Sequence, residues 1–185
     1  AMLHKPTRLE HDLIGALDVP ADAYYGIHAL RSARTFSLAG EGLHPALIVG
    51  LAQVKKACAL ANSRAGLLAS ELADAIARAA DEVAGGELHG QFITDALQGG
   101  AGTSANMNAN EVLANRAIEH LGGAPGDYSV VHPVDHVNLS QSTNDVFPTA
   151  VRVACLQQLG GAAAAMSRLQ EALQAKEVDF ADVLK

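Results

Sequence analysis

Two stretches of the chain set small hydroxyl and amide side chains where a helix has to begin, and the chemistry they offer is that of an anion cradle. The first is Gln141-Ser142-Thr143-Asn144-Asp145-Val146-Phe147-Pro148. Proline lacks the backbone N–H and crowds the preceding turn, so Pro148 is expected within the first turn of the helix that follows. The helix then opens near Thr143 or Asn144. Ser, Thr and Asn are preferred caps there, and unpaired backbone N–H groups and the helix dipole draw negative charge. Taken alone, the segment reads more simply as an ordinary capped helix. A second stretch changes the balance: Gln98-Gly99-Gly100-Ala101-Gly102 runs straight into Thr103-Ser104-Ala105-Asn106. The glycines permit a close backbone approach or a positive φ, and Thr103 and Ser104 stand at a loop-to-helix junction of the same anion-ready kind. The loop has neither the lysine of a phosphate loop nor the Gly-x-Gly-x-x-Gly of a dinucleotide site.

Between these stretches lies Val131-His132-Pro133-Val134-Asp135-His136-Val137-Asn138. Histidines four apart with an aspartate between them are metal-ligand types, but Pro133 opposes a regular helix across them. Polar loop contacts or a secondary anion site through His132 and Asp135 are expected rather than a metal. Asparagines 108, 110 and 115 sit in a segment whose later apolar spacing is helical. Each costs roughly 0.5 kcal/mol relative to alanine in a helix, so buried amides that tie neighbouring helices together are the expected reason for them.

The elements that position these groups follow from periodicity. Leu47, Leu51, Val54 and Cys58 recur at three- and four-residue steps after Pro45, which predicts an amphipathic helix ending near Gly66. Ser70 is expected to cap a second helix carrying Leu72, Ile76 and Val83 on one side and ending at Gly85-Gly86. Over residues 7–36, Pro20 and the glycines at 15 and 26 point to short strands or extended loops. After Pro148 a single helix runs to about Lys176, roughly 45–50 Å at the standard rise. Gly160 and Gly161 inside it cost about 1 kcal/mol each unless close packing requires them. With the alanines at 162–165 they suggest neighbours in a bundle that this chain has too few later residues to supply.

At 185 residues and 49% hydrophobic content the chain is long enough for one domain, or for one domain and part of another. A formal charge of −7 without a basic stripe argues against nucleic acid as a partner. The absence of a run of about 18 apolar residues argues against a membrane span. Ala1-Met2-Leu3-His4-Lys5-Pro6 lacks the apolar centre of a signal peptide, and Ala1 reads as a residue added ahead of Met2. Cys58 and Cys155 stand far apart without Cys-x-x-Cys spacing, which fits reduced thiols in a cytoplasmic protein.

The run from Gln98 to Asn115, followed by Asp135-His136-Val137-Asn138 and Gln141-Ser142-Thr143-Asn144-Asp145, resembles the fumarase/aspartase superfamily. Tyr24-Tyr25-Gly26-Ile27-His28-Ala29-Leu30-Arg31 and the Ser-Thr-Asn-Asp form at 142–145 are more similar to the aspartate ammonia-lyase branch than to class II fumarases, which more often carry Ser-Ser-Asn-Asp. The resemblance runs through essentially the whole chain but covers less than half of a family protein. It implies a mainly α fold: an N-terminal lyase domain over 1–141 with short extended segments near its start, then over 142–185 the beginning of the central helical bundle.

The activity implied is removal of a proton next to a carboxylate and expulsion of an amine, turning aspartate into fumarate and ammonia without a cofactor. Thr103, Ser142 and Thr143 would face the substrate's negative charge, and Asn144 would hold the amino group through its carbonyl oxygen. In the family the general base is a serine on a mobile loop of the C-terminal half, joined by a lysine and an asparagine. The family continues past Asp182-Val183-Leu184-Lys185 into a further Gly-Arg-Thr contact segment. No catalytic residue is therefore expected in this chain, and by itself it is expected to be inactive. Family sites are shared among three subunits of a homotetramer, whose partner here is a small dicarboxylate or amino acid. Family members commonly carry His-Pro-Asn-Asp-His, whereas here Val134 stands in the middle, which weakens the secondary carboxylate site while His132 and Asp135 remain. A class II fumarase and a non-catalytic helical assembly module are the alternatives.

Overall fold

The computed structural model describes residues 6–184, so the readings made on residues 1–5 and on Lys185 lie outside the described residues. The chain opens with a hairpin of β1 (Thr7–Asp12) and β2 (Gly15–Pro20), paired antiparallel from Thr7↔Pro20 to Asp12↔Gly15. Asp12 makes the turn: its Oδ1 accepts the N–H groups of Ile14 and Gly15 at 2.9 and 3.0 Å. Arg31 then clamps the same carboxylate with Nε at 2.8 Å and Nη2 at 2.9 Å, and together with those N–H groups holds the Asp12 carboxyl down to about 2.

Short strands over this region were expected, but Ile27–Thr35 forms a helix, α1. Its opening is capped from a distance. Buried Glu10 and Glu111 accept the backbone N–H groups of residues 26–29, Ile27 on Glu10 at 2.8 Å and Gly26, His28 and Ala29 on Glu111 at 2.8–3.0 Å. Gly26 is thus the N-cap of a helix rather than a breaker.

Helix α2 (Pro45–Arg64) and helix α3 (Ser70–Ala84) pack as an antiparallel pair against the almost wholly buried α4 (Thr103–His120). Ile76 and Val83 of α3 are in the core as expected. Ser70 is the first helical residue rather than the cap, which falls on Ala69 with no side-chain bond. The buried face of α2 is turned relative to the expected one: Ile48, Leu51, Ala52, Lys55, Ala59 and Asn62 are inside, while Leu47, Val54 and Cys58 are half-buried. The last helix, α5 (Thr143–Asp179), lies along α2 and leaves its Val54 and Cys58 side half covered, as one wall of a cleft shared with Asp145, Val146 and Thr149.

The approach of α2 to α5 depends on Gly50. A Cβ placed there would stand 2.5 Å from the Ala150 carbonyl oxygen. Gly50→Ala is expected to lower stability by about 1–3 kcal/mol through overpacking, although alanine is the better helix former. Chemical denaturation of the two proteins side by side checks this, and an unchanged or raised midpoint would show that the helices part freely.

Helix α5 begins at Thr143, as expected, and continues as one piece to Asp179. Only Val146, Ala150 and Ala154 are buried, and from Cys155 onward the described residues are exposed. Among the described residues nothing lies against Gly160 or Gly161, so they do not supply the close packing expected at these glycines. Among the described residues no helix is long and apolar enough to cross a membrane, and Cys58 and Cys155 carry free thiols.

Candidate active site

The loop ahead of α4 is shaped by its glycines. Gly100 and Gly102 take φ of 77° and 85°, in the left-handed region that a side chain disfavours. A Cβ on Gly102 would overlap the Phe147 ring, so this glycine is what allows the α4 opening to rest on the first turns of α5. Gln98 turns back beneath the loop: its Nε2 donates to the Asp95 carbonyl at 2.9 Å and its Oε1 accepts the Ala105 N–H at 2.7 Å. Gln98 therefore caps the helix, Gly102 occupies the N-cap position, and Thr103 is the first helical residue with its hydroxyl exposed and free of a capping role.

At the start of α5, Ser142 is the N-cap and its Oγ accepts the Asn144 N–H at 3.2 Å. Thr143 Oγ1 accepts from Asn106 Nδ2 of α4 at 3.1 Å. A hydroxyl has one hydrogen to give as well as lone pairs to receive with. Ser142 and Thr143 have each received a bond from inside the chain, so their own hydrogens are left to an outside acceptor. Among the described residues the backbone N–H groups of Thr103, Ser104 and Thr143 meet no acceptor either. Asn106 lies one turn beyond Thr103 on the same face of α4, and it is this residue that joins the two openings. A cleft of about 350 Å³ lies between the loop ahead of α4 and the first turns of α5, lined among others by Gln98, Gly100, Gly102, Asn144 and Phe147; of the residues expected to bind substrate only Asn144 lines it, and Thr103, Ser142 and Thr143 do not. Asp145, the acidic residue of the same turn, lines a different cleft with Val54 and Cys58 and so leaves this one without its charge.

Pro148 sits one turn deeper in α5 than expected, because the helix is fixed upstream by the Ser142 cap and the Asn106 contact. Its missing N–H leaves the Asn144 carbonyl without the usual partner four residues on. The asparagines of α4 are structural in the sense expected, with one difference. Asn108 binds the backbone of Gln91 and Ile93, and Asn115 binds Tyr24, Gly126 and Tyr128, so both hold loops rather than helices.

Pro133 and Asp135 belong to one π-helical turn over Pro133–Val137, and His132 is its N-cap. His132 Nδ1 accepts the N–H groups of Val134 and Asp135 at 3.2 and 3.1 Å, and His136 Nδ1 accepts the His132 N–H at 2.9 Å. An Nδ1 that accepts holds its ring hydrogen on Nε2. The Asp135 carboxylate 3.3 Å from the same His132 nitrogen is therefore a neighbour and not a partner in that tautomer. Among the described residues no group of three His, Cys, Asp or Glu side chains gathers as a metal site.

Lys55 is a site neighbour that the periodicity passed over. It is fully buried, and its Nζ donates to Asn138 Oδ1 and Gln141 Oε1, each at 2.8 Å. The signal was present: Lys55 interrupts the four-residue steps from Leu51 to Ala59, where an apolar side chain belongs.

Comparison with known proteins places the chain among lyases. Aspartate ammonia-lyase of a Bacillus species is 47% identical over 183 residues, which cover 99% of this chain and 39% of that enzyme. The crystal structure of a fumarate lyase:delta crystallin from Brucella melitensis superposes with a TM-score of 0.90 at 52% identity, over 96% of this chain and 42% of that one. A class II fumarase from Schistosoma mansoni superposes with a TM-score of 0.77 at 38% identity, over 80% of this chain and 32% of that one. The chain thus spans about two fifths of the length of the curated relative, 39%. Residues 15–185 match the family described as Lyase, and the chain belongs to that family, within the fumarase/aspartase superfamily.

Proposed function

We propose that the chain is the N-terminal part of an L-aspartate ammonia-lyase, with 1–141 its N-terminal domain and 142–185 the start of its central bundle. The observation that carries this is the hydroxyl pair at the α5 opening, already bonded from inside and free to donate outward, set against a second helix opening through Asn106. Loss of the proton beside a carboxylate adds negative charge to a group that is already anionic. Catalysis then comes from donors fixed in advance where that charge grows. Ser142, Thr143 and Thr103 fill this role, and exposed Asn144 takes the amino group through its carbonyl oxygen.

The general base and the groups binding the second carboxylate come from the rest of the protein and from neighbouring subunits. The exposed face of α5, with Leu159, Met166, Leu169 and Leu173, supports a homotetramer built along this helix. His132, the cap of the turn at Pro133–Val137, offers a second anion its Nε2 and not its Nδ1, which is committed to backbone N–H groups.

The test follows fumarate by its ultraviolet absorbance. The complete protein is expected to form it from aspartate and not from malate, and residues 1–185 alone are expected to form none. Turnover of malate instead would make the protein a hydratase. Turnover of neither substrate would make it a non-catalytic assembly module, and turnover by the isolated chain would remove the need for residues from elsewhere.

A further inference from the structure

The lysine buried on α2 is a cation placed among amides. Lys55 has no exposed surface, its two acceptors are neutral, and among the described residues it pairs with no carboxylate. A buried charge without a counterion is strongly disfavoured, and such a group sheds its proton instead. Burial accordingly pulls the Lys55 ammonium down to about 7.

The two amides it holds lead straight to the candidate site. Gln141 immediately precedes the Ser142 cap. Asn138 Oδ1 also receives Asn106 Nδ2 at 3.1 Å and Asn110 Nδ2 at 3.2 Å, and Asn106 Nδ2 in turn reaches Thr143 Oγ1 at 3.1 Å. The Lys55 nitrogen is thus linked through the Asn138 oxygen and the Asn106 amide to the Thr143 hydroxyl. The cluster also has acceptors to spare, since Asn106 Oδ1 and Asn110 Oδ1 are buried without a partner. Both oxygens belong to amides that meet the lysine at Asn138 Oδ1, so acceptor capacity stands unused in the same cluster.

Few charges face the lysine from the packed elements. Cys58 lies nearly one turn along α2, and Asp145 of α5 faces Cys58. Asp81 of α3 is paired with Lys56, α4 presents the amides of Asn106 and Asn110, and His132, Asp135 and His136 of the π turn are engaged with one another and with its backbone.

We infer that Lys55 is the internal countercharge of the anion site, a positioning residue that gains a proton when a dicarboxylate settles at the α5 opening and so fixes Asn138 and Gln141 behind it. The inference rests on the function proposed above. In the step the neutral amine takes H⁺ from solvent and becomes an ammonium, with no bond to carbon made or broken. Binding therefore draws protons from the medium at a pH above the lysine's own value and does so progressively less below it.

The experiment is calorimetric titration of the complete protein with fumarate, in the absence of ammonia, at about pH 8 in buffers of differing ionisation heat. Uptake approaching one proton per bound fumarate is expected, falling away below about pH 6. Lys55→Met and Lys55→Gln are expected to abolish the uptake and to weaken fumarate by about tenfold at pH 8. Thermal unfolding and light scattering establish that each variant keeps its fold and assembly. Fumarate binding without proton uptake, or an uptake that survives in a folded Lys55 variant, overturns the inference and leaves the lyase reading intact. Failure of fumarate to bind at all overturns the lyase reading and this inference with it. If both variants fail to fold, the pH course of uptake in the parent protein decides: uptake that persists undiminished below about pH 6 belongs to another group and rejects Lys55.

Discussion

Ser142→Ala and Thr143→Val, made in the complete protein, are each expected to lower kcat/KM for aspartate by about 10²–10³-fold, with the larger share in kcat. Alanine removes the Ser142 hydroxyl and with it the acceptor for the Asn144 N–H, so the cap itself contributes about 1 kcal/mol of lost stability. Thr143→Val is the cleaner substitution. It keeps the shape of the side chain and removes only the oxygen that receives Asn106 Nδ2 and the hydrogen left for the ligand. Thr143→Ser, which retains both functions, is expected to recover most of the activity. The two losses are expected to combine less than additively, because both hydroxyls answer the same developing charge. Steady-state kinetics on the parent, the three single variants and the Ser142→Ala/Thr143→Val double variant distinguish this from a folding defect, for which KM, kcat and melting temperature would move together and Thr143→Ser would offer no rescue. Equal activity of Thr143→Val and parent would remove the hydroxyl pair from the mechanism.

Removal of Glu111 is expected to give the largest stability change, with Glu111→Ala costing about 3–5 kcal/mol. The side chain is 1% exposed and serves four donors at once: the N–H groups of Gly26, His28 and Ala29 and the ring Nδ1 of His28. Alanine leaves three of the four N–H groups at the opening of α1 without acceptors, Ile27 alone keeping Glu10, in an interior where Gly26 is too tightly enclosed for anything larger, a Cβ there falling 2.6 Å from Tyr128 Oη. Hydrogen exchange is expected to show α1 opening first while α2, α3 and α4 stay protected.

The same contact makes stability depend on pH. The hydrogen bond to Glu111 raises the His28 imidazole above its usual value, so the folded chain holds that proton more tightly than the unfolded one. The stabilisation is complete below the unfolded histidine value of about 6.5 and is lost as pH climbs through the raised folded value. Urea midpoints across that interval should decline in the parent and lose this decline in His28→Gln. A flat parent profile would mean that His28 does not couple to folding.

Much of the site was legible in the sequence because its parts are contiguous. A loop of glycines ahead of Thr103 and a Ser-Thr-Asn run ahead of Phe147-Pro148 each announce a helix opening without reference to anything distant. The continuity of α5 and the burial of Ile76 and Val83 follow from spacing alone. Features with remote partners were hidden. Helix α1 looked extended because the carboxylate that completes its opening is Glu111, far along the chain, and because Gly26 beside Pro20 reads locally as an interruption. The buried face of α2 departs from the expected one by part of a turn because α5 lies along its Val54 and Cys58 side without closing over it, while Lys55 and Asn62 are drawn inside by partners in the segment ahead of α5. Gln98 reads in the sequence only as the start of the glycine loop, whereas in the fold it caps α4 and so releases Thr103 from the task.

The contact of Gly50 with the Ala150 carbonyl also sets a mechanical ratio. From Ala150 the helix reaches back roughly 10 Å to Thr143 and forward roughly 44 Å to Asp179, at the standard rise per residue. Treated as a rigid rod on that fulcrum, α5 scales a sideways swing at its far end down about fourfold before it arrives at the ligand-facing hydroxyls. In the assembly proposed above, chains gripping the distal arm can settle against one another with ångström-level slack while the hydroxyls proposed as donors near Thr143 shift by only about a quarter of that.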